Sequence, residues 1–400
     1  MALVSGRAGR YVSQPNGYRA FIPAPLPPSP PVQMDAQMVA RLSRADQALG
    51  RLDGVSRALP NPDLFVAMYV RREAVLSSQI EGTQSTLEDV LRFELDPGEA
   101  RVPLDVNDVV NYVRALGYGL ERLSTLPLSL RLIREIHAEL LRGVRGAERM
   151  PGEFRRSQNW IGPGNVPLVQ ATFIPPPVDD MHRALDNFER FLHQEDDLPA
   201  LIHSGIAHAQ FETIHPFLDG NGRVGRLLIT FFLVHRSVLQ RPLLYLSHYL
   251  KRHRGEYYDR LMAVRDLGDW EGWLRFFLRG VAETAEEATV TAGAIVELRE
   301  RHRALIQDSR LGGNGLRLLD LLFQRPLLNV NFVKDSMKVT FVTANRLVER
   351  FERLGLLEES TGRQRNRIYR YTPYLQLFDE REPPSPEAVP IETTGGGEAL

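Results

Sequence analysis

The spacing of apolar residues predicts a protein built mainly from helices. From Met34 to about residue 308, apolar positions recur every three or four residues between turns, which is the period of a helix with one buried face. Asn61-Pro62-Asp63 and Gly82 are start and stop signals for one helix, and Ser85 to Glu88 form a capping box for the next. Further helices are predicted over about 105–125, 128–144, 178–194, 198–214 and 223–238.

Two segments depart from this helical period. Residues 18–32 contain six prolines, which exclude a helix or a central strand and predict an extended, polyproline-like arm. A loose proline-rich leader fits the same composition equally well. Residues 155–176 contain two β-prone runs, Asn159–Ile161 and Thr172–Ile174, around a turn rich in glycine and proline, and this pattern predicts a β-hairpin.

The C-terminal region has a pattern of its own. Three helices are predicted, at 315–323, 331–337 and 343–354, and two β-prone runs around a Thr-Gly turn follow them. This order is typical of a winged helix-turn-helix. The predicted division is a proline-rich arm (1–33), an N-terminal helical region (34–100), a helical core (101–308), a winged helix-turn-helix (309–378) and a disordered tail (379–400).

Composition narrows the classes of function. Apolar residues make up 43% and charged residues 25% of the 400 positions, as in an ordinary soluble protein. The absence of cysteine excludes disulfides, cysteine nucleophiles and thiolate metal sites. A net charge of −1 gives no global case for a nucleic-acid or membrane partner, so any basic surface is local. With no run of signal-peptide or membrane-spanning length, we expect a cytoplasmic protein.

The stretch from Ile214 to Arg226 (IHPFLDGNGRVGR) carries the candidate chemistry. Glycines flank Asn221, so the backbone can turn tightly and direct N–H groups at an anion, and the next helix presents its positive end to the same point. Arg223 and Arg226 lie in the first turn of that helix, where the helix dipole disfavours cations. Their presence there therefore favours a bound anion.

Two other side chains complete this candidate site. Asp219 lies beside the anion and is a candidate ligand for Mg²⁺, which would separate the two negative groups. His215 stands at a helix end and is a candidate general base. A histidine near a helix end is more often structural, and a Gly-Asn-Gly turn is often only a turn. Together within twelve residues, these features favour an anion-binding catalytic loop, which Phe217 would anchor in the core.

This stretch resembles the motif of the Fic family, H-x-F-x-(D/E)-G-N-G-R-x-x-R, at every fixed position. The resemblance implies a mainly α fold with a β-hairpin flap at 156–175, and a protein adenylyltransferase that uses ATP and Mg²⁺. His215 would deprotonate a Ser, Thr or Tyr hydroxyl of a target protein, and AMP would pass to that oxygen while Asp219 holds the metal. The predicted nucleotide-binding residues are Gly220, Asn221, Gly222, Arg223, Val224, Gly225 and Arg226.

A second short motif concerns regulation. Ser77 to Gly82 (SSQIEG) resembles the inhibitory motif of the family, (S/T)-x-x-x-E-(G/N). The resemblance implies that Glu81 pairs with Arg226 and keeps the γ-phosphate of ATP from its anchor. A solvated glutamate at a helix end is the alternative. Tyr258 is the predicted nucleotide-contacting aromatic residue, with Tyr257 in reserve, although either could pack in the core.

Several alternatives stay open on the sequence alone. The predicted nucleotide-binding residues, Gly220 to Arg226 (the phosphate cradle), could instead serve to remove AMP or to transfer another phosphate-containing group. The chain could also be a DNA-binding regulator with a nucleotide-sensing core. Arginines of the winged helix-turn-helix could contact DNA or a protein, and a homodimer is possible. His208 and Glu212, four residues apart on one helix, are expected to form a hydrogen-bonded structural pair rather than a zinc site with His203.

Overall fold

The computed structural model describes residues 6–58, 62–98, 103, 105–143, 150–162, 166–195 and 198–378. Over these residues the chain is mainly helical, as predicted, with five short strands. The helices are α1 Ala36–Ala58, α2 Pro62–Ile80, α3 Leu87–Leu95, α4 Val106–Arg122, α5 Leu130–Leu140, α6 Val178–His193, α7 Ala200–Ile214, α8 Asn221–His235, α9 Ser247–Arg252, α10 Arg254–Leu267, α11 Trp270–Asp308, α12 Gly312–Gln324, α13 Val330–Met337, α14 Phe341–Arg353 and α15 Thr372–Leu375. The strands are β1 Gly9–Ser13, β2 Arg19–Pro23, β3 Leu327–Leu328, β4 Glu358–Glu359 and β5 Tyr369–Arg370.

Helix α7 lies at the centre of the fold. Every residue from Leu201 to Ile214 is buried, the polar ones included, so protein encloses this helix on all sides. Trp273 of α11 is fully buried against it and donates a hydrogen bond from its indole nitrogen to the carbonyl of Gly205, at 2.8 Å. A Cβ at position 205 would come within 2.8 Å of Leu274. The glycine therefore permits the close approach of α11 to the first half of α7.

The N-terminal arm differs from its prediction. Strands β1 and β2 form an antiparallel pair in which Tyr11 lies opposite Phe21, because residues 18–22 precede the first proline of the run and are free to pair. Phe21 is fully buried, and its N–H donates to the carbonyl of Ile174 at 2.9 Å. The arm is thus partly a β-hairpin, and one of its strands bonds to the segment that follows the predicted flap.

Helix α3 begins one residue later than its sequence signal. The N-cap is Thr86, and the reciprocal capping bonds join it to Asp89 rather than joining Ser85 to Glu88. The Ser85 hydroxyl donates instead to Asp105 at the start of α4. The side chain of Ser85, which the local pattern assigned to the cap, therefore makes a tertiary hydrogen bond instead.

The C-terminal region contains α12, α13 and α14 together with a three-stranded antiparallel sheet in the order β3-β5-β4. The two-stranded wing of the prediction corresponds to β4 and β5, and β3, between α12 and α13, adds a strand that the sequence pattern did not indicate. The winged-helix assignment stays a prediction. The predicted tail, residues 379–400, lies outside the described residues.

None of the described helices combines the length and the apolar character that a membrane crossing requires.

We expect Trp273→Ala to lower the free energy of unfolding by about 3–5 kcal/mol, because it empties a core position and leaves the Gly205 carbonyl without its donor. Urea denaturation followed by circular dichroism measures the change. Leu267→Ala, at an exposed position, is the control and should change stability by no more than about 0.5 kcal/mol. Equal effects of the two substitutions would contradict the central role of the α7–α11 contact.

Candidate functional site

The loop between α7 and α8 reverses the chain by means of two left-handed residues. His215 ends α7 with φ of 48°, and Gly220 precedes α8 with φ of 75°. A positive φ is unusual for a residue with a side chain such as His215, whereas a glycine such as Gly220 adopts it readily. Asn221 then closes the loop on itself. Its side chain accepts a hydrogen bond from the N–H of Phe217 and donates one to the carbonyl of the same residue, both at 2.8 Å.

The start of α8 is suited to an anion. The N–H groups of Asn221, Gly222 and Arg223 have no acceptor within the helix, because the first intrahelical bond runs from Val224 to Gly220. The Arg223 guanidinium is buried, lies 3.7 Å from a carboxylate oxygen of Asp219, and leaves its Nε without a partner among the described residues. Helix dipole, N–H groups and guanidinium place positive potential at one point.

His215 is held as a neutral imidazole. Burial lowers its pKa to about 3, and the positive charges of Arg265 and Arg155 act in the same direction. Its Nδ1 is buried without a hydrogen-bond partner among the described residues. The ring therefore has an unused nitrogen that can take part in proton transfer.

Arg226 and the predicted inhibitory motif are in direct contact. Arg226 donates to the Ser77 hydroxyl at 2.8 Å, to the Ser77 carbonyl at 3.0 Å and to a carboxylate oxygen of Glu81 at 2.7 Å. Burial opposes ionisation of Glu81, but the Arg226 charge prevails and lowers the pKa of the carboxyl below its usual value. Glu81 is therefore an anion that already pairs with Arg226, and it belongs to the same chain.

Gly222 explains how the glutamate can come so close to the loop. A Cβ at this position would overlap a carboxylate oxygen of Glu81 and lie 3.0 Å from the guanidinium of Arg226. Glycine at this position therefore leaves room for the close approach of Glu81. Glu81 therefore lies against the first turn of α8, beside Gly222 and Arg226.

The two candidate tyrosines on α10 differ in environment. Tyr257 is buried, and its hydroxyl lies 2.9 Å from Nε2 of His208. Tyr258 is 40% exposed, and after burial the Glu81 charge is the main reason why its pKa is raised. The exposed ring beside Glu81 is therefore Tyr258, and Tyr257 is a core residue.

The predicted pair of His208 and Glu212 is wrong in detail. His208 bonds to the carbonyl of Gly225 and to Tyr257, both at 2.9 Å, and His203 bonds to the carbonyl of Phe191. Burial raises the pKa of Glu212 to about 7, and one of its oxygens lacks a partner among the described residues. A carboxylate oxygen of Glu212 lies where a Cβ on Gly225 would be.

Val224 was among the predicted nucleotide-binding residues. Its side chain is fully buried.

The flap segment is anchored to the loop by two residues to which the sequence assigned no role. Buried Arg155 donates to the carbonyls of His215, at 3.1 Å, and Pro176, at 2.5 Å. Asn159 donates to the carbonyls of His215, at 3.2 Å, and Phe217, at 2.8 Å. The predicted hairpin is reduced to one antiparallel bridge, Ile161 with Phe173, and residues 163–165 lie outside the described part of the chain.

Within the described loop between α7 and α8, the carboxylate of Asp219 is the one available for a divalent cation. Oδ1 of Asp219 accepts the N–H of Gly220 at 2.6 Å, and the side chain is 37% exposed. Among the described residues no group of three or more histidine, aspartate or glutamate side chains forms a metal cage. One carboxylate fits Mg²⁺, which commonly binds one or two protein carboxylates together with substrate phosphates and water.

Comparison with known proteins identifies the class of protein to which this fold and loop correspond. The family model described as Fic/DOC family N-terminal matches residues 39–121, and the Fic/DOC family model matches residues 127–233. A Fic family protein from Desulfovibrio desulfuricans G20 superposes with a TM-score of 0.55 at 20% identity, over 85% of this chain and 97% of its own. A Fic domain containing signaling protein from Bacteroides thetaiotaomicron superposes at 0.51 with 18% identity, over 62% of this chain and 95% of its own. The fold is thus the Fic fold.

The chain belongs to the Fic/DOC family. A relative from Drosophila grimshawi named protein adenylyltransferase Fic is 29% identical over 225 residues, which are 54% of this chain and 42% of the relative. The Drosophila melanogaster protein of the same name is 28% identical over 228 residues, with the same coverage. The match therefore spans about two-fifths of the length of these relatives.

The contact between Glu81 and position 222 can be measured without any activity. Gly222→Ala should destabilise the chain, because the added methyl group displaces Glu81 from Arg226. In a Glu81→Gly background the same substitution should cost less. The expected coupling is about 0.5–3 kcal/mol, the usual range for contacting residues, from urea denaturation of the four proteins of the cycle. Strict additivity would contradict the contact.

Proposed function

We propose that this chain transfers AMP from ATP to a hydroxyl group of a target protein. The observation that carries the proposal is the juxtaposition of two features. One is the neutral His215, whose buried Nδ1 has no partner in the described part of the chain, and the other is the positive first turn of α8. A base beside a phosphate cradle suits the attack of a hydroxyl on a phosphorus atom. The relatives named protein adenylyltransferase Fic support AMP as the transferred group.

The roles of the residues follow from their placement. The hydroxyl oxygen of the target attacks the α-phosphorus and its proton passes to His215, while the bond to the bridging oxygen breaks and pyrophosphate leaves. The N–H groups of residues 221–223 and the Arg223 guanidinium stabilise the charge that develops on the phosphate oxygens. Negative phosphates beside the imidazole also raise its pKa toward the range in which it accepts a proton. The exposed ring of Tyr258 offers the adenine a surface.

Asp219 is the residue that would hold Mg²⁺. Its partly exposed carboxylate at the edge of the cradle fits that role, and the bound ion would neutralise phosphate charge and orient the leaving pyrophosphate. The flap, anchored by Arg155 and Asn159 to the carbonyl of His215, would align the target segment beside the base.

Autoinhibition by Glu81 within one chain is part of the proposal. The carboxylate holds Arg226 at 2.7 Å, and Arg226 is the residue that we expect to receive the γ-phosphate. Two anions cannot share this guanidinium at close range without strong repulsion. ATP therefore binds productively only when Glu81 has left, and Glu81→Gly relieves this competition.

The test uses ATP labelled on the α-phosphate, with γ-labelled ATP as a second probe, in the presence of Mg²⁺. Label from the α position should accumulate on protein in Glu81→Gly at least tenfold above wild type, and it should be lost in Glu81→Gly/His215→Ala. Protein-bound label is measured on the enzyme and on added cell proteins. Retained ATP affinity in the His215→Ala variant, by calorimetry, excludes a folding defect.

Other outcomes point elsewhere. Label from the γ-phosphate would overturn the proposal in favour of phosphate transfer. Absence of label from both positions, with release of AMP from a pre-modified target protein, would favour AMP removal. Equal labelling from the α-phosphate in wild type and Glu81→Gly would support AMP transfer but reject the inhibitory role of Glu81.

A second candidate function, DNA binding, is favoured by the charge of the C-terminal region. Residues 309–378 hold twelve lysine and arginine residues against six aspartate and glutamate residues, whereas the whole chain has a net charge of −1. At the start of α14, Phe341 and Val342 are exposed, and exposed arginines lie on α14 and on the segment 362–367. A helix with this profile suits the major groove of a DNA duplex, although Glu349 and Glu352 reduce the positive potential.

Arg346→Ala/Arg365→Ala should weaken binding to duplex DNA and reduce the slope of log affinity against log salt by about two, since each lost phosphate contact removes about 0.9. Fluorescence anisotropy over a salt series measures both quantities. Arg131→Ala/Arg183→Ala is the control with the same charge change at exposed sites on α5 and α6. Equal effects of the two double variants would reduce the interaction to non-specific charge attraction and reject this surface.

A further inference from the structure

His137 of α5 lies directly under the candidate loop, although it belongs to no motif. It is fully buried, and its ring stacks on Phe217 with 3.7 Å between ring centroids and 10° between planes. Gly220 approaches the same helix so closely that a Cβ there would lie 3.4 Å from Leu140 and 3.5 Å from His137. The cradle therefore rests on α5 as well as on α7 and α8.

Both ring nitrogens of His137 are engaged by backbone groups. The N–H of Gly152 can only donate, so Nδ1 accepts it, at 2.9 Å. The carbonyl of Asp219 can only accept, so Nε2 carries the proton and donates, at 3.0 Å. Burial lowers the pKa of His137 to about 4, and the ring is neutral with one defined tautomer at neutral pH.

The bond to the Asp219 carbonyl matters because of what shares that peptide unit. The carbonyl of Asp219 and the N–H of Gly220 belong to one planar group, so fixing the first fixes the direction of the second. The same N–H donates to Oδ1 of Asp219 at 2.6 Å, and thereby orients the carboxylate. A single donor on His137 thus sets both the peptide that leads into the cradle and the carboxylate at its edge.

We propose that His137 is a positioning residue, which holds the Asp219–Gly220 peptide so that the cradle and the Asp219 carboxylate keep the geometry needed for phosphate chemistry. It does not touch the reacting atoms, because both nitrogens are occupied by backbone partners. The inference rests on the proposed function for its kinetic consequences. The expected effect of His137 on the affinity for the Mg²⁺–ATP complex does not depend on AMP transfer.

The test separates the two hydrogen bonds in a Glu81→Gly background. His137→Gln places an amide nitrogen near the position of Nε2 and keeps a donor for Asp219. His137→Asn places an oxygen near the position of Nδ1 and keeps an acceptor for Gly152 only. His137→Phe keeps the stacking on Phe217 without either bond.

We expect His137→Asn and His137→Phe to lower kcat for AMP transfer on the order of ten- to hundredfold, the range typical for residues that orient directly acting groups, with a smaller change in KM for ATP. His137→Gln should recover most of kcat. The Mg²⁺ concentration for half-maximal activity should rise in the first two variants and not in the third. Thermal unfolding of each variant is measured alongside.

Two results would overturn the proposal: parental kcat in His137→Asn, or a loss in all three variants that follows their melting temperatures. The first would make the Asp219 bond irrelevant, and the second would reduce His137 to a core residue. If the Glu81→Gly parent transfers no AMP, the proposed function has failed, and calorimetric affinity for Mg²⁺–ATP decides about His137. Equal affinity of the Gln and Asn variants would then reject the positioning role.

Discussion

The buried guanidinium of Arg226 is the constraint on which the site depends. Its side chain is only 2% exposed, and a buried cation that loses its acceptors destabilises a fold strongly. Ser77 and Glu81 supply those acceptors and so tie the end of α2 to the start of α8. We propose that a nucleotide can enter the cradle only by replacing Glu81 as the anionic partner. Inhibition and catalysis are then two ways of satisfying the same charge.

Helix α2, which carries Ser77 and leads into Glu81, is held along its length. Buried Glu73 accepts hydrogen bonds from Tyr112 of α4, at 3.1 Å, and from the Ser247 hydroxyl of α9, at 2.5 Å. On another face, Arg71 and Arg325 both reach Glu94 of α3, and Arg325 belongs to the C-terminal region. The helix ends at Ile80, and Gly82 has φ of 102°. Glu81 therefore lies just beyond the helix, and its carboxylate can leave Arg226 while α2 stays in place.

Local patterns were enough to predict the helices and the loop, because helical periodicity and a contiguous motif are local signals. Residues whose role depends on distant backbone groups left no such signal, and His137 and Arg155 are the clearest cases. Each bonds to the carbonyl of a motif residue far along the chain. The choice between Tyr257 and Tyr258 was also beyond the sequence, because adjacent helical residues face different sides and only packing shows which side is buried.

His215 shows how these distant contacts serve the chemistry. Its left-handed backbone costs on the order of 1–3 kcal/mol, and such a conformation persists only where the surroundings hold it. Arg155 and Asn159, both from the flap segment, bind its carbonyl and so stabilise the strained turn. The Arg155 charge also helps to keep the imidazole neutral. The segment that we propose aligns a target thus also holds the backbone of His215 and contributes to keeping its imidazole neutral.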